Sequence, residues 1–98
     1  MTNFSIKVVE NKFDVVVKGH TGYEDRGYDI VCASISTMVN ITVNLIDNFG
    51  YNVYDLSIKD GYLSFKCDVN DTTKIIIKTL EDDLLSLSKQ YPDFIKKI

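Results

Sequence analysis

His20, the only histidine of the chain, lies twelve residues before Cys32 in the stretch Gly19-His20-Thr21-Gly22-Tyr23-Glu24-Asp25-Arg26-Gly27-Tyr28-Asp29-Ile30-Val31-Cys32. A thiol and an imidazole are the two parts of a cysteine nucleophile. The imidazole takes the thiol proton, the thiolate attacks an acyl carbon, and the imidazolium returns the proton to the leaving group. The second cysteine, Cys67, has no histidine near it in sequence.

The flanking patterns describe a scaffold that can hold the pair. In residues 3–9, Phe4, Ile6 and Val8 alternate with polar neighbours at the period of two expected of a half-buried strand. Glu10-Asn11-Lys12 reads as a polar turn, and Phe13, Val15 and Val17 resume the alternation up to Lys18. Gly19 ends this second strand and delivers His20 at its tip.

Residues 29–49 carry Val31, Ile35, Met38, Val39, Thr42, Leu45, Ile46 and Phe49 at the spacing of one helical face. Asp29 is a favourable N-cap, and Gly50 suits the position just past the C-terminus. Ile41 and Val43 widen the apolar arc, which predicts contact with a second helix or another subunit as well as with a sheet. Val53 to Lys59 and Tyr62 to Asp68 form a hairpin through Asp60-Gly61, a pair suited to a type I′ turn.

Asn70 or Asp71 then caps a second helix with the stripe Ile76, Ile77, Leu80, Leu84, Leu87 and Tyr91, stopped by Pro92. Phe94, Ile95 and Ile98 are candidates for a short last strand. The order ββαββα in 98 residues predicts one domain over 1–98, an α+β two-layer sandwich. Its sheet is expected to have four to five mostly antiparallel strands, covered by two helices.

With Asp29 as N-cap, Cys32 falls in the first helical turn, near unpaired N–H groups and the positive end of the helix dipole. Both favour thiolate. The N–H groups of Cys32 and its neighbours then become candidate oxyanion donors. The glycine-bearing loop 21–28, with Thr21, Gly22, Tyr23, Gly27 and Tyr28, has to fold back for His20 to reach the sulfur. Asp29 has two open roles, capping the helix or fixing the tautomer of His20. Ser36, one turn on, can bond the sulfur or its own helix backbone. Cys67, whose strand-face neighbours are Leu63 and Phe65, reads as a small core residue. Tyr23 and Tyr28 also have a plain role in packing the loop.

A net charge of −3 and a pI near 4.9 argue against nucleic-acid binding. No apolar run is expected to reach membrane-spanning length, and the N-terminus lacks a secretory signal pattern, so no membrane association is expected and the expected location is the cytoplasm. Two cysteines in such a protein read as free thiols. One histidine and two cysteines are too few for a usual four-ligand zinc site. No metal or cofactor is expected.

The run Gly19-His20, Gly27-Tyr28-Asp29-Ile30-Val31-Cys32-Ala33 and Ser36 resembles the Gly-His … Gly-x-Asp-x-x-Cys-Ala-x-x-Ser signature of the bacterial ribosomal-processing cysteine protease Prp family. The likeness extends over nearly the whole chain, including Asp60-Gly61-Tyr62-Leu63 and Tyr91-Pro92. It implies a cysteine endopeptidase that removes the N-terminal extension of the twenty-seventh protein of the large ribosomal subunit. Cys32 is then the nucleophile and His20 the general base, with Asp29 and Ser36 at matching positions. It also implies cleavage after an aromatic residue, with Tyr23 and Tyr28 as candidate pocket walls, and a homodimer. Thr21 departs from the alanine usual after the family's histidine. Two other functions compete: a non-catalytic ribosome-assembly module that binds a peptide with the same loop, and a redox-sensing thiol. The second lacks a nearby resolving cysteine.

Overall fold

The computed structural model describes residues 1–19, 26–59 and 61–98, with the backbone alone at 26–29. Strands β1 (Thr2–Val9) and β2 (Lys12–Gly19) lead into helix α1 (Arg26–Asn48). Strands β3 (Val53–Lys59) and β4 (Tyr62–Asp68) follow, then helix α2 (Asp71–Gln90) and strand β5 (Ile95–Lys97). The five strands form one sheet in the order β3-β4-β2-β1-β5, antiparallel except where β5 runs parallel to β1. The α+β architecture expected from the sequence is therefore present, with β5 as the short last strand.

Register decides which face is buried. Phe4 pairs with Val17 and Ile6 with Val15, while Val15 pairs with Phe65 and Phe13 with Cys67. Because side chains alternate across a strand, this places the apolar set of three strands on one face. Phe4, Val15, Val17, Phe65, Cys67 and Ile95 are buried there. The opposite face carries cross-strand rows such as Lys7, Asp14 and Lys66. The two helices complete the core with Val31, Ile35, Val39 and Ile46 from α1, and Ile76, Ile77, Leu80, Leu84 and Leu87 from α2.

The connections are tighter than their sequences suggest. The β1–β2 turn uses Glu10 and Asn11 alone, at φ 52° and 62°, and Lys12 already belongs to β2. Gly50 at φ +85° ends α1: its N–H bonds to Asp47 O at 2.9 Å, and the Tyr51 N–H bonds to Ile46 O at 3.1 Å. These are the paired bonds of a Schellman ending. At α2 the cap is Asn70, whose Oδ1 accepts from the Thr73 N–H while Thr73 Oγ1 accepts from the Asn70 N–H, both at 2.9 Å. Thr73 Oγ1 in turn donates to Asp68 O at 2.6 Å, tying the helix start to the end of β4. The edge strand β3 slips register between Tyr54 and Ser57, where Asp55 sits at φ 51°. This is a bulge of the kind that twists an exposed edge away from further pairing.

Two expectations for α1 need correction. The helix starts at Arg26, so Asp29 is its fourth residue rather than its N-cap, and Gly27 and Tyr28 belong to its first turn rather than to a loop. The segment Ile30–Asn48 is also long and apolar enough, by length and composition, to cross a membrane. Its Ser, Thr and Asn residues add polarity without charge, and Asp47 is its single charged residue. One face of it, Val31, Ile35, Val39, Thr42 and Ile46, is buried against the protein's own core.

Leu45 and Phe49 fit the helical stripe by spacing but are exposed, as is Ile41. With Met38 and the α2 residues Ile75 and Ile76 they line an apolar groove of about 600 Å³ between the helices. The predicted contact of α1 with a second helix is thus made, and it leaves apolar surface uncovered.

Candidate active site

The site is built on two carriers. The first is the end of β2, the middle strand of the sheet, flanked on both sides by antiparallel partners. Thr2 of β1 stands opposite Gly19, and Tyr62 of β4 opposite Lys18. One step past that last pair, the Gly19 N–H donates to Gly61 O at 2.9 Å. The chain therefore leaves the sheet for His20 from a point held on both sides. Lys18 places its Nζ 6.0 Å from the centre of the Tyr62 ring at the same end.

The second carrier is α1. Val31 is fully buried and fixes the rotation of the helix, which leaves the next residue, Cys32, at the rim of the buried stripe. Cys32 is half-buried and Ser36, one turn on, is exposed. Asp29 precedes Cys32 by three positions and so shares its helical face by register. Thr21, Gly22, Tyr23 and His20 itself lie outside the described residues. Of Gly27, Tyr28 and Asp29 the backbone alone is described, as the opening turns of α1.

The longer helix changes the electrostatic setting. Cys32 is the seventh residue of α1, about 9 Å along the axis from its start, at 1.5 Å per residue. Its N–H lies inside the i→i−4 ladder, whereas the unbonded N–H groups belong to the helix opening. The dipole effect is confined to the first turn. The helix end therefore supplies neither thiolate stabilisation nor oxyanion donors at Cys32, contrary to the expectation from an N-cap at Asp29.

Cys67 has the opposite environment. It is 0% exposed on β4, packed in the core. Burial, and secondarily the negative charge of Asp68, push its thiol up to about 11. A thiol that stays protonated and out of solvent is no nucleophile. Cys67 is thus the small core residue that its strand-face neighbours Leu63 and Phe65 led us to expect.

The sequence reading treated Gly61 only as a turn residue. It took the structure to show Gly61 bonded to Gly19, because that contact joins residues 42 positions apart.

The chain is similar in sequence and fold to known proteins. The sequence profile of the family "Cysteine protease Prp" matches residues 1–96. The ribosomal processing cysteine protease Prp of Staphylococcus aureus is 28% identical over 87 residues, covering 85% of this chain and 82% of that protein. A crystal structure of the essential S. aureus processing protease with a covalently linked product peptide superposes with a TM-score of 0.80 at 27% identity, covering 99% of this chain and 97% of that one. The complex of the S. aureus protease with a substrate peptide gives a TM-score of 0.78 at 26% identity, over 100% and 98% of the two chains. A Streptococcus mutans protein shares the fold, with a TM-score of 0.79 at 21% identity over 99% and 91% of the chains.

The two cysteine environments predict a selective labelling pattern. Iodoacetamide added to the folded protein at pH 8 should place one carbamidomethyl group, on Cys32, with Cys67 modified only in denaturant. Peptide mass mapping reads the result, and labelling of Cys67 at a rate comparable to Cys32 would contradict the sealed core.

Proposed function

The chain belongs to the Prp cysteine protease family, and on that premise we propose that it removes the N-terminal extension of the twenty-seventh protein of the large ribosomal subunit, with Cys32 as nucleophile and His20 as general base. The observation that carries the assignment of the nucleophile is the contrast between the two thiols. Cys67 is enclosed in the core with its thiol pushed up to about 11, and Cys32 lies on a half-open helix rim. The covalently linked product peptide in the S. aureus structure supports a covalent intermediate over a module that only binds its peptide.

In this mechanism His20 takes the proton of Cys32 as the sulfur attacks the scissile carbonyl carbon. The C–N bond breaks as the tetrahedral intermediate collapses, and the imidazolium gives its proton to the departing amine. The N-terminal extension stays on Cys32 as a thioester. Water, deprotonated by His20, attacks that thioester, the C–S bond breaks to free the extension as its carboxylic acid, and the imidazolium returns the proton to the leaving sulfur. The interior position of Cys32 in α1 makes His20 the activating group, so loss of the imidazole is as damaging as loss of the sulfur. Asp29, one helical turn before Cys32, is the acidic residue placed to orient His20 now that it is no longer the N-cap. The aromatic residue before the cut is received by an apolar pocket for which Tyr23 and Tyr28 are the candidate walls. The reaction takes place in the cytoplasm, where ribosomal proteins are made, and involves neither a metal nor another cofactor.

The enzyme acts as a homodimer. Ile41 and Ile75, 60% and 69% exposed, flank the groove between α1 and α2 that also includes Leu45 and Phe49. A second copy covers this surface, which is more apolar than a free helix pair usually presents.

Two experiments test these readings. A peptide spanning the extension and the first residues of the mature ribosomal protein is cut by the wild type, and Cys32→Ala and His20→Ala each lower kcat/KM by at least ~10³-fold. Cleavage at the wild-type rate in either variant would sink the Cys–His mechanism. Ile41→Glu converts a sedimenting dimer to a monomer, whereas a wild-type protein that sediments as a monomer would remove the dimer.

A further inference from the structure

The β3–β4 hairpin does more at the site than close a turn. Gly61 lies at its tip, with φ +74°. Its carbonyl accepts the Gly19 N–H at 2.9 Å, and its bare Cα faces the carbonyl of the same residue. A Cβ added at position 61 would collide with the Gly19 carbonyl oxygen and lie 3.6 Å from the carbonyl carbon. The Gly19 C=O is half of the peptide unit that joins Gly19 to His20. Gly61 thus meets both peptide units of Gly19: its carbonyl binds the N–H of the unit shared with Lys18, and its lack of a side chain leaves room for the C=O of the unit shared with His20.

Neither partner can yield at low cost. Gly19 is the last residue of the middle strand, opposite Thr2 on one side and bonded to Gly61 on the other. Gly61 precedes Tyr62, which is paired with Lys18. The obstacle a Cβ would meet is backbone, not the mobile end of a side chain. Gly50 gives the contrast: it too has a positive φ, +85°, but nothing lies within 4 Å of the place its Cβ would take. Glycine at 50 satisfies a helix ending, while glycine at 61 satisfies both a turn and a close approach.

We infer that Gly61 is a positioning residue for His20: its contacts with the two peptide units that flank the Gly19 Cα set the direction in which the chain carrying the imidazole leaves the sheet. The inference rests on the reading of His20 as the general base. It adds to that reading the element that aims the base, a hairpin far from it in sequence. A misdirection of about 1 Å in a reacting group is enough to cost ~10²-fold in rate.

Because His20 is the only histidine, its imidazole gives a single Cε1–H resonance in the NMR spectrum of the labelled protein. That resonance and its titration midpoint are recorded for the wild type, Gly61→Ala and Gly50→Ala, with kcat/KM on the peptide alongside. Gly61→Ala should move the resonance and the midpoint, shift the pH profile of kcat/KM with them, and lower kcat/KM by ~10²-fold with KM little changed. Gly50→Ala should lower the melting temperature and leave the His20 resonance and kcat/KM at wild-type values.

If Gly61→Ala does not fold, Gly61→Asn takes its place, since asparagine tolerates a positive φ better and brings the same Cβ. An unmoved His20 resonance in the Gly61 variant overturns the inference, as does an equal change in Gly50→Ala. A moved resonance in a protein that cuts no peptide upholds the positioning and overturns the protease reading instead.

Discussion

The structure depends most on the double pairing of its middle strand. β2 is bonded along its whole length, to β1 on one side and to β4 on the other, in a register that turns Phe4, Val15, Val17 and Phe65 to a single face. A slip of one residue would send that set to solvent and Lys18, Lys66 and Asp14 into the core. The burial that holds the fold together therefore also fixes where β2 ends. That end is Gly19, and the next residue is His20. The most constrained strand of the sheet becomes the mount for the residue we propose as the general base.

The proposed nucleophile is mounted differently. α1 is held by a buried stripe that includes Val31, and Cys32 follows from it by one helical step of about 100°. This exposes the sulfur on one side while anchoring its backbone in a regular helix. The same arrangement removes the benefit of a helix N-terminus, because six helical residues precede Cys32. Many reactive cysteines combine a helix end with a histidine. Here the fold places Cys32 in the helix interior, and the proposed mechanism rests on His20 for activation. The second thiol shows what the core does to a cysteine: Cys67, facing inward on β4, is kept protonated by desolvation.

Much of this was readable in the residues. The period of two located all four long strands, and β3 and β4 begin and end where the alternation around Asp60-Gly61 places them, although Asp60 itself lies outside the described residues. Gly50 and Asn70 marked helix ends correctly because their chemistry is local: a left-handed backbone in one case, a side-chain acceptor in the other. The start of α1 was misplaced because Asp29 was read as the N-cap, although Asp25 carries the same side chain four residues earlier. Capping contributes only ~1 kcal/mol, and four more helical residues, 26–29, outweighed it. The bulge at Asp55 left no trace in the alternation, since register slips are set by pairing. Leu45 and Phe49 showed that spacing alone identifies an apolar arc but not how much of it a small core can cover. The roles of Cys32 and His20 came from a signature rather than from packing, and the hairpin contact at Gly61 is tertiary and has no local sequence mark.

The central claim is that the bond-making atom is the sulfur of Cys32. Mixing the enzyme with excess peptide, quenching in acid within a turnover and mapping the modified residue by tandem mass spectrometry reads that atom directly. The account predicts an adduct with the mass of the N-terminal extension, linked as a thioester to Cys32 and absent in Cys32→Ala. An adduct on Cys67, or turnover with no covalent intermediate at Cys32 and undiminished cleavage in the Cys32→Ala variant, would contradict it.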